Sequence, residues 1–322
     1  MREMFLVLPA LAALVGLLAA GSVRGGPAPA PQDAERPSFA NPALRSPLRR
    51  AKRRAAEDRP AGAAQALKGW KLVWADEFDT MGLPDPKKWD YEEGFVRNQE
   101  TQYYTRARSE NARVEGGTLI IEGRKEKFSN PQHRPGGKGP EVAEYTAASL
   151  ITRGKAAWRY GRVEVRAKLP QGRGVWPAIW MLGTNIGQAG WPACGEIDIM
   201  EFVGHMPGRV HATVHWRGGD GKHQFSGGNL KVERPWDDFH VYAVEWTERQ
   251  MDFYFDETQY FSFQVDKATD KGGNAFRQPQ YLLINLALGG SWGGAIDDKI
   301  FPQKYVIDYV RVYERAPEKS RG

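Results

Sequence analysis

From Trp70 onward, apolar and polar residues alternate in short runs rich in Val, Ile, Tyr, Phe and Trp, broken by Gly, Pro, Asn and Asp, with hardly any helical period. A period of two over runs of this length predicts β-strands. Strands are expected at Lys71–Trp74, Thr118–Lys125, Ala147–Thr152, Tyr160–Lys168, Trp176–Leu182, Ile197–Phe202, Val210–Trp216, His240–Trp246, Met251–Phe255, Tyr281–Ala287 and Ile307–Glu314, among others. One flat sheet does not carry that many comfortably. The pattern therefore predicts an all-β jelly-roll sandwich of two stacked antiparallel sheets. The closing run Asp308–Tyr313 should pair back near the first strand, ending the domain at about Arg315.

Several strands alternate so regularly that one sheet is expected to be concave and polar on its outer face. In Arg162–Lys168 every second residue is charged, and Val163, Val165 and Ala167 fill the gaps; in His211–His215 the polar set is His211, Thr213 and His215. One face of each strand builds the core and the other faces a groove. For the charged strand, a solvated face is the competing reading.

The stretch Gly195-Glu196-Ile197-Asp198-Ile199-Met200-Glu201 carries three carboxylates in seven residues. Strict alternation puts Glu196 and Asp198 on one face and Glu201 on the other. A single β-bulge, a device frequent beside active sites, returns Glu201 to the face of the other two. Ile197, Ile199 and Met200 at the intervening positions mark a central strand, where unpaired charge is expensive. Three like charges on one face raise one another's pKa. That suits a pair of acids dividing the roles of ionised nucleophile and protonated general acid. With about 3.3 Å per residue, the two glutamate Cα atoms lie ~13 Å apart after the bulge, so their side chains can lean to the 5–5.5 Å of a retaining glycosidase.

Composition changes the picture mainly at the N-terminus. Phe5 to Ala20 is almost wholly apolar after a start carrying Arg2, and small residues follow around Gly21 and Ser22. Residues 1–22 read as a secretory signal peptide, with an uncleaved N-terminal anchor as the alternative. Residues 23–66, rich in Pro, Ala and Arg, read as a disordered basic linker. Residues 1–66 hold ten Lys/Arg and five Asp/Glu, five of the chain's six net positive charges. The folded part, 67–315, is thus nearly neutral, with a short tail at 316–322. The run Arg49, Arg50, Lys52, Arg53, Arg54 is a poor nucleic-acid signal behind a signal peptide. It reads instead as a solvated spacer or a contact to anionic wall or matrix polymers. The expected product is a secreted monomer that binds no nucleic acid and does not stay in the membrane after cleavage. The single cysteine, Cys194, excludes an intrachain disulfide and a cysteine-based metal site, and reads as a buried bystander rather than a nucleophile.

Tryptophan is the second chemical signal. Of eleven, Trp176 and Trp180 fall on the same face of one predicted strand, and Trp191 lies five residues before Glu196. Indole faces stack on the apolar faces of pyranose rings, so these three beside a carboxylate cluster describe a sugar groove.

These residues resemble glycoside hydrolase family 16, and within it the bacterial endo-β-1,3-glucanases, or laminarinases. The likeness runs through Trp74-Ala75-Asp76-Glu77-Phe78-Asp79, Asn98 to Thr105, Tyr160-Gly161-Arg162, Trp176 to Gly183, Trp191 to Gly204, Asn285 to Trp292 and Asp308 to Tyr313. The resemblance implies a concanavalin A-like jelly roll with an open cleft. It makes Glu196 the nucleophile, Glu201 the general acid/base, and Asp198 the residue that tunes the nucleophile. It adds Asn98, His215 and Trp292 to Trp176, Trp180 and Trp191 as sugar-binding candidates. Trp292, in the loop Gly289–Gly294, has an exposed turn as its other reading. His215 either faces Glu201 or belongs to the core. No cofactor is implied for catalysis, while a structural calcium is implied at Glu77, Asp308 and the backbone carbonyl of Gly117. The implied substrate is β-1,3-glucan. Other family polymers, namely mixed-linkage glucan, agar, porphyran and carrageenan, and a non-catalytic glucan-binding role stay open.

Overall fold

The structure, a computed structural model, describes residues 67–137 and 139–316. The expected signal segment 1–22, the linker 23–66 and the tail residues 317–322 lie outside the described residues. Among the described residues no helix is long and apolar enough to cross a membrane.

Two large sheets carry the fold. The first has seven strands in the order His223–Lys231, Arg209–Arg217, Glu196–Glu201, Val175–Gly183, Gln280–Leu288, Ser149–Ile151 and Asp90–Glu92. The second has ten, built around Gly161–Lys168 and Gln303–Arg315. Its ladders are antiparallel except for Tyr103–Tyr104, which runs parallel to Val142–Ala147. The last strand pairs with the first from Trp70↔Arg315 to Asp76↔Val310 and closes the domain as the sequence predicts.

Alternation decides which face each strand turns inward. Val175, Ile179 and Met181 of one strand, Ile197 of the next and Val210, Ala212 and Val214 of the third are buried in the core between the sheets. Val163, Val165, Ala167, Val310 and Val312 of the ten-stranded sheet belong to the same core. Each large side chain fully buried there contributes about 1.5–3 kcal/mol relative to exposure, so a strand slipped by one residue would forfeit its whole inward set. The opposite face of the seven-stranded sheet holds a smaller cluster, which includes Ala178, Trp180, Leu182, Cys194, Tyr281 and Leu283.

Two sequence expectations change at this level. The charged positions of Arg162–Lys168 do not face the groove, because that strand lies in the ten-stranded sheet, and only Arg166 and Lys168 keep partial contact with water. Arg162 and Glu164 are buried there and paired at 3.0 Å, Arg162 also reaches Glu245 at 3.1 Å, and the Tyr313 hydroxyl donates to Glu164. The implied calcium site differs too. Glu77 accepts two hydrogen bonds from Arg311, both 2.7 Å, and Asp308 is paired with Arg166. Gly117, at φ +76°, serves the turn between Ala112–Glu115 and Thr118–Ser129. Calcium takes six to eight oxygens that carry the compensating charge. Both carboxylates here already have a guanidinium, so these residues do not fit that ion.

Candidate active site

The three acids are brought together by the predicted bulge. On one side the register runs Asp198↔Thr213 and then Glu201↔His211, three steps against two. On the other it runs Asp198↔Trp180, Met200↔Ile179, Glu201↔Ala178. Ile199 and Met200 both turn into the core, and Glu201 returns to the outer face. A regular strand would expose Met200 and drive a carboxylate into the apolar core, which costs several kcal/mol. The bulge is therefore the cheaper arrangement. Glu196 and Glu201 stand opposite Leu182 and Ala178, four residues apart on a regular strand, which places their Cα atoms ~13 Å apart.

All three acids line a cavity of about 450 Å³ on the outer face of the seven-stranded sheet. That lies within the ~300–1,000 Å³ usual for a ligand site. The acids are held by different partners. The Trp191 indole N–H donates to Glu196 Oε2 at 2.9 Å, and that of Trp176 donates to Glu201 Oε1 at 3.0 Å. Asp198 is buried between them, with His215 Nε2 at 3.1 Å from its Oδ2 and 3.8 Å from Glu196 Oε1. On its other side, His215 Nδ1 lies 2.9 Å from His223 Nε2.

Burial raises the pKa of every member of the trio, as loss of water disfavours the ionised form. For Glu201 the charges of Asp198 and Glu196 add to burial and carry it well above the ordinary range, against the opposing Trp176 hydrogen bond and the charge of His215. Glu196 is also raised, by burial and then Asp198, but His215, the Trp191 hydrogen bond and Arg97 all oppose that rise. The environment thus favours ionising Glu196 and keeping Glu201 protonated.

The structure places the sugar-binding candidates unequally. Trp191 is 51% exposed. Trp176 and Trp180 line the cavity but are only 8% and 6% exposed. The Arg97 guanidinium sits 4.8 Å from the Trp180 ring centroid, and the Trp180 N–H donates to Asn285 Oδ1 at 2.7 Å. Trp180 is therefore a floor under Arg97, with no free face for stacking. Trp292 is half-buried in a short helix, Gly290–Gly293, edge-on to Trp176 at 5.6 Å. Asn98 lines the cavity, its Nδ2 3.3 Å from Glu100 Oε1, and its carbonyl accepts from the Ser291 N–H at 2.8 Å. That bond ties the Asn98 loop to the glycine-rich loop. His215 is the cross-strand partner of Glu196, whereas His211 is the partner of Glu201. The expectation that His215 faces Glu201 is thus corrected: His215 stands opposite Glu196 before the bulge, and the bulge brings His211 opposite Glu201 where a regular strand would place Val210.

Sequence reading did not find Arg97, Glu92, Glu100 or His223. Arg97 pairs with Glu92, which also accepts from the Ser149 hydroxyl at 2.7 Å. Glu100 accepts from Gln102 at 2.9 Å, and burial holds its carboxyl above the usual range. Only the adjacency of Arg97 to Asn98 could have flagged it. A second pocket of about 540 Å³ shares Arg97, Asn98 and Glu100 with the first but contains none of the three acids, so the smaller cavity is the chemical site. Glu196, Asp198 and His215 could each offer one metal-ligand atom, all within 4.8 Å of one another. This is the same cluster that two-carboxylate chemistry uses, and no metal role is assigned to it.

Comparison with known proteins points to the same chemistry. A family model described as glycosyl hydrolases family 16 matches residues 99–311. A β-glucanase of Rhodothermus marinus is 50% identical over 257 residues, 76% of this chain and 85% of that protein. The X-ray structure of the laminarinase from Rhodothermus marinus, 48% identical, aligns with a TM-score of 0.68 over 77% of this chain and 98% of its own. A non-specific endo-β-1,3(4)-glucanase, solved with a bound glucan oligosaccharide, is 42% identical over 80% of this chain and 98% of its own, with a TM-score of 0.68.

Proposed function

The chain belongs to family 16 of the glycosyl hydrolases, and from this premise we propose that it cleaves β-1,3-glucan of the laminarin type within the chain, retaining anomeric configuration. The observation that carries the reaction is the bulged strand, which lines up Glu196, Asp198 and Glu201 on one face and gives each glutamate its own indole donor. The choice of β-1,3-glucan is supported by the likeness to the Rhodothermus marinus β-glucanase and laminarinase.

In the first step Glu196 attacks the anomeric carbon, and Glu201 gives its proton to the departing glycosidic oxygen. A covalent glycosyl-enzyme forms on Glu196 and the leaving chain departs. In the second step the ionised Glu201 takes a proton from water, which displaces Glu196 and regenerates the starting state. Asp198, pressed between the two glutamates, raises both pKa values; His215 opposes that effect at both, and Arg97 opposes it at Glu196 alone. This division keeps Glu196 the better ionised of the two. Neither step needs a cofactor. Exposed Trp191 supplies a stacking face beside the nucleophile. We also propose that the enzyme is exported, on the strength of the apolar run Phe5–Ala20.

The test is a panel of laminarin, mixed-linkage glucan, agarose and carrageenan, with reducing ends and product lengths measured. Laminarin should yield a spread of oligosaccharides early in the reaction. Release from agarose with none from laminarin would overturn the substrate assignment. Proton NMR of the first product formed should show the β-anomer.

A further inference from the structure

The Glu196–Glu201 strand divides its sheet unequally, with two strands on one side and four on the other. Trp176, Trp180, Asn285 and Glu92 lie on strands of the four-strand side. On the two-strand side, the site so far has His215 and His211 opposite the glutamates and His223 against His215. The outermost strand there is His223–Lys231, which pairs His215↔Phe225 and Arg217↔His223. Directly opposed residues of an antiparallel pair share a face. Because His215 faces Glu196 and Asp198, Phe225 faces the groove as well.

Phe225 is 68% exposed. A phenyl ring left in water forgoes the free energy that burial would provide, so an unused apolar face continuous with a binding groove is informative. Its surroundings are aromatic. His223 lies 4.6 Å from the Trp191 ring and 6.0 Å from Phe225, and His215 lies 6.0 Å from Phe225. The two imidazoles stack at 5.2 Å with 24° between their planes. Burial, then the neighbouring His215, hold His223 below its ordinary pKa, which favours the neutral form of that ring. The surface running outward from Glu196 on this side is thus Trp191, two histidines and Phe225.

We propose that Phe225, backed by His223 and Trp191, is a stacking platform for a sugar unit of the bound glucan, two strand spacings, or ~10 Å, from the strand that carries the nucleophile. The inference rests on the reading of the groove as a β-glucan site. It adds to that reading the part of the groove that engages chains too long to be held at the acids alone. The occupant is a β-linked glucose unit presenting its apolar ring face. Aromatic surfaces with a few polar groups are the usual lining of such ligand sites.

The experiment measures binding of laminari-oligosaccharides of increasing length to the full chain carrying Glu196→Gln, with and without Phe225→Ala, by calorimetry. Affinity should rise with length until the platform is reached. Phe225→Ala should remove that last increment, about tenfold in Kd, and leave the shortest ligands unaffected. Phe225→Trp should restore it. Identical length dependence with and without Phe225→Ala would overturn the proposal. So would sedimentation data in which Phe225→Ala abolishes self-association while glucan binding is unchanged, since a second copy would then be the occupant. If the wild-type chain cleaves a different polymer from the panel, the reading of the substrate fails. The same length series made from that polymer then tests the platform separately.

Discussion

The indole N–H of Trp176 donates to Glu201 at 3.0 Å, giving a carboxyl held well above its ordinary pKa a partner that favours its ionised form. Trp191 does the same for Glu196 at 2.9 Å. The two tryptophans therefore tune opposite ends of one reaction. Removing either should move a different limb of the pH profile.

Trp176→Phe deletes the donor and should raise the Glu201 pKa further, so the alkaline limb of kcat/KM moves to higher pH. Trp191→Phe should raise the Glu196 pKa, so the acidic limb moves up while the alkaline limb holds. Initial rates on laminarin across the pH range measure both. Movement of the same limb in both variants would contradict the division of roles.

Arg97 acts on the same limb as Trp191. Its guanidinium lowers the Glu196 pKa, and Arg97→Met should shift the acidic limb upward with a fall in rate below neutrality. Arg97→Lys keeps the charge and should keep the limb near its original position. Loss of the Glu92 pair also costs stability, so thermal melts should accompany the profile to separate the two effects.

Glu196→Gln and Glu201→Gln should each lower kcat by about 10³-fold or more while the protein still binds laminarin in affinity electrophoresis. Binding lost together with activity would mean that these residues hold structure.

Asp198→Asn should lower activity but raise stability at neutral pH. The folded-state pKa of Asp198 is raised, so between the ordinary value of ~3.9 and that raised value the folded chain holds a proton that the unfolded chain releases. Stability is then full below the ordinary pKa and is lost as pH rises through the folded one. The Tm gain at pH 7 should be a few degrees, given ~2–4 °C per kcal/mol for a domain of this size, and should vanish near pH 4. Calorimetry at the two pH values decides it.

Chelation should leave stability unchanged. Glu77 and Asp308 are engaged by Arg311 and Arg166, so neither excess EDTA nor added calcium should move the Tm. A clear rise with calcium would show that the arginines yield those carboxylates to the ion.

The catalytic strand was legible because its information is local: three acids, three apolar residues between them and a parity that only a bulge can repair. The two-sheet sandwich was legible for the same reason, in alternation strand by strand. What the sequence hid depends on pairings between distant segments. Trp180 reads as a stacking face until Arg97, from a loop some eighty residues earlier, is seen to cover it. The charged set of Arg162–Lys168 reads as a groove or a wet surface because its partners, Glu245 and Tyr313, come from other strands. His215 was misaimed because which acid a histidine meets is set by the register against the neighbouring strand, which puts His215 opposite Glu196 and His211 opposite Glu201.

At Ile199 and Met200, two neighbouring side chains share the interior, and this has a consequence for how the protein can fail. Exchanging one of the pair for another apolar side chain keeps the parity. Deleting one removes the extra residue, so Glu196, Asp198 and Glu201 fall at alternate positions of a regular strand and still share the groove face. What the pair cannot accept is a charge, which either position would carry into the core between the sheets.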